Sequence, residues 1–92
     1  MTPEAGERVA VAALGFLASR PEDLGVFMGA AGLTPDDLRA RAGDSEFLAF
    51  VLDWILQDEP LLIAFCDEIA RPYDLPMRAR AALPGGQLPN WT

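Results

Sequence analysis

Ninety-two residues make one domain, and at this size folding buries only a little over about 60% of the unfolded chain's surface. Seven arginines face fourteen acidic residues, with no lysine and no histidine, for a formal charge of −7. That balance argues against nucleic acid and anionic membranes as partners, and the lack of histidine removes the commonest general base and metal ligand.

Half of the residues are apolar, which is high for so short a chain, so some apolar surface is expected to remain for a partner. The single cysteine, Cys66, has no partner for an internal disulfide, which fits a reducing compartment. No basic segment precedes an apolar run, so no signal peptide is expected. The longest mostly apolar run, near residues 47–56, is too short for a membrane span and carries Asp53. The expected location is the cytoplasm.

The first helix is expected from Pro3 to Ser19, with Thr2 as its N-cap and Pro3 at the first helical position, where its missing N–H costs nothing. Ala10, Leu14, Leu17 and Ala18 read as its buried face, with Val11 beside them and Val9 and Phe16 on a second face. Gly6 and Gly15 either weaken this helix or permit close packing. Ser19 and Glu22 have capping-box spacing for a second helix ending at Ala31, which would bury Leu24, Phe27, Met28 and Ala31. Gly32 is its left-handed stop.

Leu33-Thr34-Pro35-Asp36-Asp37-Leu38 is the clearest start signal in the chain. Thr34 caps a short third helix, and Leu33 and Leu38 flank the cap as a hydrophobic staple. Gly43 stops it, and Asp44 caps the fourth helix, expected from Ser45 to Gln57. That helix is apolar on most of its circumference and should be the buried centre of the fold. Truncating its Trp54 is expected to cost about 3–5 kcal/mol, as for other buried aromatics. Asp58-Glu59-Pro60 restarts the chain, with Asp58 capping a fifth helix that presents Leu62, Phe65, Cys66 and Ile69 on one stripe. A sixth helix runs from about Leu75 to Leu83. Residues 84–92 have no period and read as a mobile tail beyond a single domain at 1–83. The fold expected is all-α: five or six short helices packed orthogonally around the fourth.

Three segments, LGFLA at 14–18, PEDLGVFMGAAGLTPDDLRARA at 21–42 and FLAFVLDWILQDEPLLIAF at 47–65, resemble a family of small bacterial proteins, mostly alphaproteobacterial, known as domain of unknown function 3572. The resemblance spans roughly residues 8 to 83, and GLTPDDLR with FLAFVLDWIL is its most specific part. It implies a self-contained helical domain and carries over no activity, cofactor or site residue.

No catalytic, cofactor-binding or metal-ligating set is expected. No calcium loop, phosphate loop or dinucleotide fingerprint is present. Cys66 stands mid-helix among acids and apolar residues, which disfavour the thiolate, so it reads as a small core residue. The acids read as caps and solvated faces, with Asp53 marking the one solvent-facing line of the fourth helix together with Gln57. Most arginines have an acid three or four residues before them (Glu4–Arg8, Asp36–Arg39, Asp37–Arg41, Asp67–Arg71, Asp74–Arg78), each pair worth about 0.2–0.5 kcal/mol. Arg20 and Arg80 have none. Phe16, Phe27, Phe47, Phe50, Trp54 and Phe65 read as core.

The function expected is that of an acidic, non-catalytic interaction module that binds a protein partner or a second copy of itself. Its candidate surface is Leu61 and Ile63, rimmed by Glu59 and Asp67, with Trp91 covering it or entering a partner. The alternative is a binder of a small apolar ligand or acyl chain in a cavity between the fourth and fifth helices.

Overall fold

Six helices form where the chain carries start signals: α1 (Pro3–Ala18), α2 (Pro21–Ala31), α3 (Pro35–Arg41), α4 (Ser45–Leu56), α5 (Glu59–Ile69) and α6 (Leu75–Ala81). The structure is a computed structural model and describes residues 1–85, among which there is no strand. The all-α expectation holds. Leu88 and Trp91 lie outside the described residues.

Four of the caps close as their residue types dictate. Thr2 accepts from the Ala5 N–H, Asp44 from Glu46 and Asp58 from Leu61, at 3.1–3.2 Å. Thr34 and Asp37 form a full capping box, each side chain accepting the other's backbone N–H at 3.1 Å. The bond from the Thr34 N–H, then the Thr34 hydroxyl, holds the Asp37 carboxyl below its usual range. Gly32 is left-handed as expected, with φ 68°.

The Ser19–Glu22 box does not form. The Ser19 hydroxyl donates to the Phe16 carbonyl at 2.7 Å, and Arg20 is the N-cap of α2 without a side-chain cap bond. Pro21 is the reason, since a proline at the first helical position moves the cap to the residue just before it.

The core is centred on α1 and α4 together, with α6 packed on both, rather than on α4 alone. Six of the twelve residues of α4 are buried: Phe47, Leu48, Ala49, Val51, Leu52 and Ile55. Its outward line is Glu46, Phe50, Asp53 and Gln57, so Phe50 is exposed rather than core. Trp54 is only half-buried.

Phe27 of α2 is fully buried, as is Phe65 of α5. Phe47, Phe50 and Trp54 stand at helical spacing on α4 and clasp Phe27, with ring centroids 6.3, 5.6 and 5.5 Å away. Tilted and edge-on contacts of this kind add roughly 0.5–1.5 kcal/mol per pair beyond area burial. Phe16 meets Phe65 at 5.5 Å, tying α1 to α5.

The buried stripe of α1 is Gly6, Ala10, Ala13 and Leu17, together with Phe16. This phase differs from the sequence reading, which placed Leu14 and Ala18 inside. Small residues on the stripe let α1 approach its neighbours closely: a Cβ on Gly6 would stand 2.9 Å from the Ala79 carbonyl oxygen and 3.2 Å from the Ala82 Cβ. The Ser45 hydroxyl adds a polar tie from α4 by donating to the Glu7 carboxylate.

Candidate functional site: an apolar groove between α1 and α3

With the small residues of α1 turned inward, its larger ones are left outside. Val11 is 51% exposed, Leu14 is half-buried, and Gly15 and Ala18 are exposed. Across from them α3 presents Leu38 and, just past its end, Ala42. The six form the walls of an open groove of about 310 Å³, with Arg39 on its rim. Arg39 is held by Asp36, so the rim charge is locally balanced. No residue of α3 is buried.

A second recess of about 250 Å³ lies on the other flank of α3. Ala31, Leu33, Phe47 and Phe50 supply its apolar wall, with Arg41, Asp44 and Glu46 around it. Neither recess lies between α4 and α5, where the sequence reading placed a ligand cavity.

The sequence-derived surface on α5 is only partly assembled. Leu61 is 7% exposed and belongs to the core, which corrects its assignment to an interaction surface. It stands one turn before Phe65, which is fully buried, and the two turn inward together. Ile63 is 37% exposed, and Glu59 and Asp67 are exposed one turn to either side of it. Trp91 lies outside the described residues. The groove residues Val11, Leu14 and Ala18 were read as core; the signal that finds them is the run of small residues at 6, 10 and 13 leading to Leu17.

Ion pairs follow tertiary proximity as well as sequence spacing. The expected Asp36–Arg39 and Asp74–Arg78 pairs form, the latter at 3.2 Å. Arg20 and Arg80, expected to lack partners, both have one. Arg20 reaches Asp23 at 2.5 Å and lies 5.0 Å above the Phe16 ring. Arg80 donates to Asp53 on α4 at 2.7 Å and to the Pro84 carbonyl at 2.9 Å. Asp67 accepts from the Tyr73 hydroxyl at 2.7 Å, and among the described residues it makes no ion pair with Arg71.

The polar chemistry around Cys66 is quiet. Burial pushes its thiol up, and the charges of Asp67 and Asp74 push the same way. The hydrogen bond to Asp67 raises the Tyr73 phenol. Among the described residues no three Cys, Asp or Glu side chains gather to hold a metal ion, and no helix is long and apolar enough to cross a membrane.

No curated protein and no solved structure matches the chain. A family model does, over residues 3–86, nearly the whole described length. The chain therefore belongs to the family described as protein of unknown function (DUF3572).

Proposed function

We propose that this chain is an acidic, non-catalytic interaction module of the cytoplasm that takes an amphipathic helix of another protein into the α1–α3 groove. The groove carries the reading. From Val11 to Ala18 it runs seven residues along α1, about 10 Å, enough for two turns of a partner helix. Gly15 and Ala18 on its wall allow a close backbone approach, and apart from Arg39 at the rim the other lining side chains are aliphatic. This is the physical pattern of helix-in-groove recognition.

Charge selects the class of partner. Asp58 at the N-cap of α5 and Glu59, Asp67 and Glu68 within it make no ion pair with an arginine among the described residues. A surface with a net charge of −7 steers basic partners in and repels a second copy of itself. The partner helix is therefore apolar on one face and rich in Lys or Arg on the other.

A photo-crosslinking residue placed at Val11 tests this in cells. Val26, 63% exposed on α2 and outside the groove, is the control position. The expected result is one discrete adduct from Val11, absent from Val26, joined to a basic amphipathic helix of another protein. The same products from both positions, or none from Val11, would show that the groove is not a docking site.

A further inference from the structure

Two glycines of this chain have a reason within the fold. Gly6 is required by packing, since a Cβ there would stand 2.9 Å from the Ala79 carbonyl oxygen, and Gly32 by its left-handed φ of 68°. Gly15 answers to neither. It lies inside α1 with ordinary helical backbone, it is exposed, and a Cβ built on it meets nothing within 4 Å. Alanine would suit that position better, because glycine weakens a helix interior through its excess backbone freedom. The fold itself gains nothing from glycine at 15.

Its surroundings are those of the α1–α3 groove. Val11 and Ala18 stand one turn to either side of it, Leu14 is beside it, and α3 faces it with Leu38. Gly25 and Gly29 of α2 are just as open, but they line neither this groove nor the second recess. The approach along α1 is acidic. Glu4, Val11 and Ala18 follow one another at intervals of seven residues, so they share one line of the helix to within about 20° per step. Glu4 is exposed and makes no ion pair among the described residues, which suits a basic partner.

We propose that Gly15 is the specificity-determining position of the groove: the partner helix crosses α1 there, backbone against backbone, and itself carries Gly, Ala or Ser at the crossing point. This rests on the helix-in-groove reading given above. Packed helices lie about 8–10 Å apart, axis to axis, and the side chains at the crossing set the value. With no side chain at 15, the shorter spacing is reached only when the partner residue facing it is also small. A larger one holds the two helices apart and withdraws the partner's aliphatic side chains from Val11, Leu14 and Leu38. Selection therefore comes from the clash a bulky residue would make, not from any added attraction.

Photo-crosslinking from Val11 in cells, repeated on glycine variants of the full chain and paired with thermal melts, tests this. Gly15→Ala is expected to raise Tm by about 2–8 °C while cutting the Val11 adduct at least about fivefold. Gly25→Ala should raise Tm to a similar degree and leave the adduct unchanged. The segment recovered in the wild-type adduct should carry Gly, Ala or Ser at the centre of its apolar face. A stabilised Gly15→Ala that keeps its full adduct would overturn the proposal and leave the groove reading standing. A Gly15→Ala that melts below wild type would also overturn it, because the fold itself would then need the glycine. Equal loss of adduct in the Gly15 and Gly25 variants would do the same, since the effect would not belong to the crossing. No adduct from the wild-type groove would sink both readings together.

Discussion

Phe27→Ala is expected to cost about 3–5 kcal/mol, the usual range for removing a buried phenylalanine. Phe27 is fully buried, and three aromatic rings of α4 touch it. Its loss leaves a cavity whose lining cannot collapse easily, because Phe47, Phe50 and Trp54 are spaced along one rigid helix. A domain of this kind has only about 5–15 kcal/mol of stability in total. Each kcal/mol lost lowers Tm by roughly 4–8 °C at this size. Trp54→Ala should cost clearly less, since the indole is only half-buried and packs edge-to-face with Phe27. Urea denaturation of the two variants ranks them. If Trp54→Ala proved the more damaging, α4 rather than Phe27 would hold the centre of the cluster.

Alanine at two glycines should act with opposite signs. In α1, Gly6→Ala places a methyl 2.9 Å from the Ala79 backbone carbonyl, so α1 and α6 must separate. Overpacking of this kind costs about 1–3 kcal/mol, and the better helix propensity of alanine returns only about 0.5–1. A net loss of about 1–2 kcal/mol is expected. In α2, Gly25→Ala meets nothing within 4 Å and should stabilise the protein by about 0.5–1 kcal/mol. Thermal melts of both variants give the check. A stabilising Gly6→Ala would mean that the α1–α6 contact is loose.

What the sequence disclosed, and what it hid, follows from range. The caps at Thr2, Thr34, Asp44 and Asp58 were all legible because a cap joins residues two or three apart. Helix spans followed from them to within a residue or two. The phase of α1 was misread because leucine and valine dominate any hydrophobic reading, while the true stripe is glycine and alanine. Those residues are inside because of what they lack, namely bulk that would hold α6 away. The Arg80–Asp53 pair spans 27 residues and has no local signature. Leu61 was misassigned because the residues of α5 alone do not decide which flank of its apolar stripe faces inward. The α1–α3 groove was invisible for the same reason as the stripe, since it is made of what the stripe leaves out.

One consequence concerns time rather than position. No side chain of α3 is fully buried and Leu38 is its one apolar residue packed, half-buried, against the core, so detaching the helix exposes comparatively little apolar surface. The free energy of that local opening lies at the low end of the range within a fold, far below global unfolding. Its amide protons should exchange with solvent much sooner than those of Leu17 or Leu52. The α1 wall is fixed by α4 and α6, whereas the α3 wall can be repositioned at little cost. A helix entering between them meets a jaw with one rigid side and one that adapts, so partners of different girth can be held by the same six residues.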